Sequence, residues 1–143
     1  MIKEFQKEYR WLSNFAPVNI ELDGIIYPSV EHAYMSAKCA DKHWKFFCSN
    51  SDNTAGVVKR NSKNIELVPN WDLIKLDVMK QCIDQKFNQQ PYMDKLLATG
   101  DLHIQEGNMW NDKFWGVCLK TNKGENNLGK LIMEKRRLLN DNL

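Results

Sequence analysis

The chain has no closely spaced cysteine pair, no long apolar run and almost no charge imbalance, and each absence removes a class of protein. Its four cysteines, Cys39, Cys48, Cys82 and Cys118, never form a CxxC pair. Zinc sites of the finger type depend on such pairs, so no metal ligand set is expected, and a disulfide framework is out of character for a chain of 143 residues with this N-terminus. That N-terminus, Met-Ile-Lys-Glu-Phe-Gln-Lys-Glu-Tyr-Arg, alternates charged and apolar residues instead of building the core of a signal peptide. No run approaches the ~20 apolar residues that span a bilayer. The expectation is a cytoplasmic protein with no membrane partner. Twenty basic against eighteen acidic residues leave a net charge of +2, too little to indicate a polyanion partner by itself. Internal repeats and low-complexity tracts are also missing.

What is present is 43% apolar residues and five tryptophans, enough for one domain with a core, and residues 1–143 read as a single domain. Residues 2 to 6 read as a short strand. Val18 to Leu22 alternates with period two, Asp23-Gly24 is a hairpin pair, and Ile25 to Tyr27 returns antiparallel. Pro28 ends that strand, and Ser29 caps a helix expected from about residue 30 to 47. Thr54 caps a short helix to Arg60. Asp72 caps an amphipathic helix with Ile74, Val78, Met79, Cys82, Ile83 and Phe87 on one side, and a second short helix, Met93 to Ala98, stops at Gly100. Leu102 to Gly107 and Phe114 to Leu119 read as strands. Leu128, Leu131, Ile132, Lys135, Leu138 and Leu139 mark a last helix, capped by Asn126 or Asn127. The fold class is α+β: mainly helical, with a small antiparallel sheet carrying the hairpin and the strands around Leu102 and Phe114.

The chemistry concentrates on the helix after Ser29. At ~100° per residue, Glu31, Met35 and Lys38 share one stripe, and Lys38 leans back toward Glu31 across ~10 Å of helix, leaving room for a small ligand. Two plainer readings compete: Glu31 as an acid favoured in a first helical turn, and Lys38 as a surface lysine lying over apolar neighbours. His32 falls off the stripe and suits a structural hydrogen bond, while His43 and His103 look incidental. Asp112 stands in a turn between Trp110 and Trp115, and the tryptophans serve equally as core or as stacking platforms. Lys59, Arg60 and Lys63 form a basic cluster that is either solvated surface or a phosphate contact. Amides at the start of the last helix, flanked by Gly124 and Gly129, offer another phosphate position.

Ser13-Asn14-Phe15, Asp23-Gly24, Tyr27-Pro28-Ser29-Val30-Glu31-His32 with Lys38, Asn70-Trp71, Lys86-Phe87, Thr99-Gly100-Asp101, Glu106, Asp112-x-x-Trp115-Gly116 and Gly124-x-Asn126-Asn127-Leu128-Gly129 together resemble the NADAR, or YbiA-like, family. The match runs in order along nearly the whole chain. The resemblance implies the fold of that family and an N-glycosidase acting on ribose joined to nitrogen. Its substrates would be ribosylamino-pyrimidine intermediates of riboflavin synthesis, or guanine bases carrying ADP-ribose. Position by position it makes Glu31, Lys38 and Asp112 the catalytic candidates and Asn14, Phe15, Trp71, Trp115, Gly116 and Asn126 the substrate contacts. It implies no metal and no cofactor. The partners would be a small-molecule or nucleotide substrate carrying N-linked ribose phosphate or ADP-ribose, extending to ADP-ribosylated nucleic acid. The chain departs from the family pattern at Met35 and Ala37, at Ser62-Lys63, at Val68 and at Glu125, and several of these departures remove basic residues.

Cleaving an N-glycosidic bond requires stabilising or attacking a cationic C1′ and protonating the leaving nitrogen. A neutral Lys38 amine can attack C1′ and form a Schiff base that water resolves, with Glu31 moving the proton and Asp112 holding ribose hydroxyls or the developing charge. Burial would lower the lysine's pKa and an ionised Glu31 would raise it. The alternative function is a module that binds ADP-ribose or a related nucleotide without cleaving it.

Overall fold

Asp23 and Gly24 both take positive φ, +50° and +81°, the pairing a tight two-residue hairpin needs and one that glycine at the second position makes cheap. The turn joins β1 (Pro17–Leu22) to β2 (Ile25–Ser29), antiparallel with Ile20 opposite Tyr27 and Leu22 opposite Ile25, and with a bulge between Pro17 and Ile20. Val18, Ile20 and Tyr27 point inward with the expected period of two. In the computed structural model, which describes residues 1–143, the hairpin belongs to one of two compact units, Asn14–Lys86. The other combines Met1–Ser13 with Phe87–Leu143. The chain is α+β, with more helix than strand and the hairpin as its small antiparallel sheet.

In the first unit, β2 runs directly into α1 (Val30–Ala37). Pro28 lies inside β2 rather than ending it. Ser29 caps α1 as expected: its hydroxyl accepts from the His32 amide at 3.1 Å and lies 2.6 Å from His32 Nδ1. His32 Nε2–H donates to the Asn53 carbonyl at 2.7 Å, so the histidine ties α1 to a loop, the structural part read for it.

The helix expected from 30 to 47 is two helices, because the chain breaks after Lys38 and restarts as α2 (Lys42–Ser49). Asp41 explains the restart, its carboxylate accepting from the His43 amide at 2.7 Å. Carbonyls near the end of α1 find donors in α2, from the Trp44 indole to Met35 at 2.8 Å, in addition to the Lys38 amide, and from the Lys45 amine to Ser36 at 3.0 Å. Thr54 caps α3 (Ala55–Asn61) through the Val57 amide, and the polar segment after it folds as a single 3₁₀ turn at Ser62–Asn64. Next comes α4 (Trp71–Phe87), whose last residue is counted with the other unit. It begins one residue before Asp72, which therefore sits in its first turn instead of capping it. Gln85 on α4 exchanges two 2.8 Å hydrogen bonds with the Glu21 backbone, fastening helix to hairpin.

In the second unit the strand expected at 2 to 6 is one parallel bridge between Ile2 and Ile104, followed by a 3₁₀ helix, Lys7–Leu12. α5 (Tyr92–Ala98) and α6 (Asn127–Asp141) pack together, and Trp11, Phe87 and Tyr92 meet edge to face. The strands expected at 102–107 and 114–119 shrink to β3 (Gly107–Asn108) and β4 (Val117–Cys118), which pair in parallel and not with the hairpin. The reason is competition for backbone groups. The carbonyls of Lys113, Phe114, Trp115 and Gly116 accept from the amides of Glu125, Asn127, Leu128 and Asn126, and the Phe114 and Trp115 amides go to Asp112, so these groups are used outside a ladder. No helix is long and apolar enough to cross a membrane.

Lys86, on the last turn of α4, is 0% exposed, and burial pulls its amine down to about 7. Unfolded, the amine would keep its ordinary value near 10.4. Between these two values the unfolded chain binds the extra proton, so the destabilisation Lys86 imposes is full below pH 7 and fades as pH rises toward 10. Urea unfolding of the wild type and of Lys86→Met at pH 7 and pH 9 should therefore differ. Wild-type stability relative to the variant should increase by about 2 kcal/mol over that interval, and a pH-independent difference would mean the amine is already solvated.

Candidate active site

The N-terminal half of α1 is buried on every side, and Glu31 lies within it at 6% exposed. Its amide donates to the Asn14 carbonyl at 3.0 Å, which seats the Ser13-Asn14-Phe15 turn against the start of the helix. The Asn14 side chain turns inward: its amide contacts the Met79 sulfur at 3.7 Å, and its Oδ1 is buried with no hydrogen-bond partner. An orphaned buried acceptor costs about 1–3 kcal/mol, so it is a group a ligand hydroxyl or amine could satisfy.

Lys38 follows the last residue of α1, still with helical dihedrals of −67° and −25°. It therefore stays on the Glu31 stripe although the helix has ended. Its carbonyl accepts from the Val68 amide at 2.8 Å, and its Nζ stands 5.5 Å from the centre of the Tyr34 ring. Tyr34 in turn packs against Trp71 with centroids 5.1 Å apart. Burial lowers the Lys38 pKa from its ordinary value, Glu31 raises it, and the like charges of Lys59 and Lys75 lower it further. The net direction is down, which favours a reactive neutral amine. A cavity of about 380 Å³ opens along Leu67 to Leu73, with Trp71 in its wall.

Of the residues singled out from sequence, Asn14, Phe15, Glu31, Lys38 and Trp71 thus lie in the Asn14–Lys86 unit, and all but Phe15 are joined by the contacts just given. Phe15 is 38% exposed, with Lys59 Nζ 6.0 Å over its ring. Tyr34 and Lys75 escaped the sequence reading of this site, and Lys59 was read only as part of the basic cluster with Arg60 and Lys63. Tyr34 had a signal, standing four residues before Lys38 on the same face. Lys59 and Lys75 belong to other helices, and nothing local announces their proximity to Lys38.

Asp112, Trp115, Gly116 and Asn126 lie in the other unit, around one loop. Asp112 Oδ1 accepts from the amides of Phe114 and Trp115 at 3.1 and 3.0 Å, while Oδ2 takes part in neither bond. Asn108 clamps the same residue from both sides, accepting from its amide and donating to its carbonyl at 2.9 Å. Trp115 is half-buried and meets Phe114 edge-on at 4.8 Å. Asn126 is buried, and both polar atoms of its side chain are engaged: Oδ1 accepts from the Glu106 amide at 2.9 Å, and Nδ2 donates to the Ile104 carbonyl at 3.0 Å. Its amide and those of Asn127 and Leu128 are taken by the 114–116 carbonyls, so these are not free amides that could hold a phosphate at the start of α6. The buried thiols of Cys48 and Cys82, pushed up to about 12 by burial, are not nucleophiles at neutral pH.

The α+β fold thus sets a buried glutamate and a lysine of lowered pKa on one helical stripe beside an aromatic pair. The chain belongs to the NADAR domain family, whose model matches residues 2–140. It is similar to the N-glycosidase YbiA of Escherichia coli (strain K12), with 33% identity over 135 residues covering 92% of this chain and 82% of that protein. An N-glycosidase of Nostoc punctiforme is 31% identical over 90% of this chain and 84% of its own length. A riboflavin biosynthesis protein of Vibrio vulnificus is 29% identical over 96% of this chain but only 38% of that protein. Among solved structures, the NMR structure of E. coli YbiA matches with a TM-score of 0.83 at 29% identity, covering 99% of this chain and 88% of that one.

The loop carrying Asp112 tolerates no side chain at Gly116. A Cβ there would run into the Glu106 carboxylate and backbone and come within 2.9 Å of the Asn108 amide that holds Asp112. Gly116→Ala should lower stability by at least about 2 kcal/mol in urea unfolding. Unchanged stability would show that the Glu106 side chain swings aside freely.

Proposed function

We propose that this protein is an N-glycosidase that hydrolyses the bond between ribose C1′ and a nitrogen, with Lys38 as nucleophile, Glu31 as proton carrier and Asp112 holding ribose hydroxyls. The reading is supported by the names its relatives carry. The single structural observation behind it is the Lys38 amine, partly withdrawn from water and pressed by two like charges, on the same helical stripe as a buried carboxylate. The family match through residues 2–140 supports treating residues 1–143 as one domain.

In this mechanism Glu31 delivers a proton as the C1′ to nitrogen link weakens, and the Lys38 lone pair forms a C1′–Nζ bond while the nitrogenous base departs. Glu31 then takes a proton from Nζ and passes it to O4′ as the ring C1′–O4′ bond breaks, leaving a C1′=Nζ iminium; water adds to C1′, its proton passes through Glu31 to Nζ, and the C1′–Nζ bond breaks to release the aldehyde form of the free sugar while Nζ recovers its electron pair. Amine and carboxylate supply every step without a metal. Phe15, Trp71 and Trp115 offer faces for base or ribose, and Asn14 Oδ1 an acceptor for a sugar hydroxyl. Gly116 and Asn126 serve by shaping the loop that presents Asp112 and Trp115.

Riboflavin biosynthesis proteins among the relatives favour a ribosylamino-pyrimidine as substrate over ADP-ribosylated guanine. Incubation with each in turn separates the two, and release from neither, despite measurable ligand binding, would leave a nucleotide-binding module. Borohydride added during turnover should fix a sugar adduct on Lys38. Lys38→Met should cut kcat at least a hundredfold, and Glu31→Gln should do the same. Because the amine must be neutral to attack, kcat/KM should rise with pH through a midpoint below the ordinary lysine value, as the lowered pKa of Lys38 requires. Full turnover by Lys38→Met with no trapped adduct would end the imine route.

A further inference from the structure

Glu106 is neither a catalytic candidate nor a substrate contact, yet its carboxylate lies inside the loop that carries Asp112. Its backbone is fixed on both sides: the amide donates to Asn126 Oδ1 at 2.9 Å, and the carbonyl accepts from the Val117 amide at 2.9 Å. Its side chain runs against Gly116, whose lack of a side chain leaves it room, and Oε2 accepts from Asn108 Nδ2 at 3.1 Å.

Asn108, the last residue of β3, is 2% exposed, and both polar atoms of its side chain are engaged. The two hydrogens of Nδ2 go to Glu106 Oε2 and to the Asp112 carbonyl, the latter at 2.9 Å, and Oδ1 accepts from the Asp112 amide at 2.9 Å. Turned over, the amide would set its oxygen against a carboxylate and a carbonyl, so one orientation alone fits. Asp112 then has three of its four hydrogen-bonding groups occupied: amide and carbonyl by Asn108, and Oδ1 by the amides of Phe114 and Trp115. Oδ2 is the one left over, and its direction follows from the other three.

A buried asparagine beside a carboxylate adds stability only while every one of these contacts holds, a demand that simple closure of a loop does not make. Positioning does make it, because a misplacement of ~1 Å costs on the order of a hundredfold in rate. We infer that Glu106 and Asn108 are positioning residues that act on a bound ribose through Asp112: Glu106 fixes the Asn108 amide, and Asn108 fixes the two peptide groups of Asp112, so that Oδ2 meets the ribose hydroxyls. The inference rests on the N-ribosyl reading and adds to it two residues that touch no substrate.

A double-mutant cycle separates this from a purely structural part. Turnover of a ribosylamino-pyrimidine and of ADP-ribosylated guanine is measured for the wild type, Asn108→Ser, Asp112→Asn and the double variant. Asp112→Asn keeps the oxygen that accepts the two amides and replaces Oδ2. Asn108→Ser should lower kcat/KM about tenfold or more in the wild type, but less than about twofold in the Asp112→Asn background. Glu106→Ala should follow Asn108→Ser, and Glu106→Gln, which still turns an oxygen toward Asn108, should recover most of the loss. A full loss from Asn108→Ser in the Asp112→Asn background, or Glu106→Gln no better than Glu106→Ala, overturns the relay. Melting temperatures identify a variant that fails to fold, and the Glu106 variants, which leave Asn108 in place, carry the same cycle if Asn108→Ser does not. Calorimetric titration of ADP-ribose runs the cycle on affinity. A wild type that binds ADP-ribose but cleaves neither substrate refutes the glycosidase; the relay then stands if the affinity lost in Asn108→Ser is not lost again in the Asp112→Asn background, and falls if it is. Absence of both binding and turnover overturns the two together.

Discussion

A single backbone hydrogen bond, from the Val68 amide to the Lys38 carbonyl at 2.8 Å, sets the geometry on which the candidate chemistry depends. Carbonyls at a helix end must find donors outside the helix, and here the donor comes from the segment leading into α4. α1 therefore ends beside Lys38, and the chain is free to turn into α2. Lys38 keeps helical dihedrals and its place on the Glu31 stripe. Three residues after Val68, Trp71 reaches the Tyr34 ring beneath the Lys38 amine. Helix end, amine and aromatic wall are thus set by one contact.

The price of the arrangement is visible in the same unit. An amine partly out of water, two further cations near it and an asparagine oxygen with no partner are each unfavourable for folding alone. A sequence selected for stability only would place an apolar residue at position 38. Burial weakens the Lys38 ammonium while Glu31 supports it, so the two influences oppose each other, with burial the larger. Folding free energy is retained elsewhere, in the hairpin, in the capped starts of α1, α2 and α3, and in the packed side chains of Val30, Ile20 and Tyr27.

The second unit reaches rigidity by other means. Its Asp112 loop has almost no regular structure, yet nearly every polar group in it is paired: Asn108 with Asp112, Asp112 with two amides, and the following carbonyls with the start of α6. Glycine at 116 lets Glu106 and Asn108 approach the backbone closely. Irregular backbone held this way presents a carboxylate and an indole without the freedom of an ordinary loop.

Local pattern determined most of the elements. Asp23-Gly24 dictated the hairpin, Ser29 and Thr54 the helix starts, and the spacing of Glu31 and Lys38 their shared face, because each depends only on neighbours within a turn or two of chain. The break after Lys38, the shrinking of two strands to β3 and β4 and the loss of free amides at α6 were decided by tertiary structure. In each case backbone groups that a local reading assigns to their own element were claimed by a distant one: Val68 by Lys38, and residues 113–116 by 125–128. The effect of Lys59 and Lys75 on the Lys38 amine belongs with these, since charges on separate elements act on one another through space and leave no trace in sequence spacing.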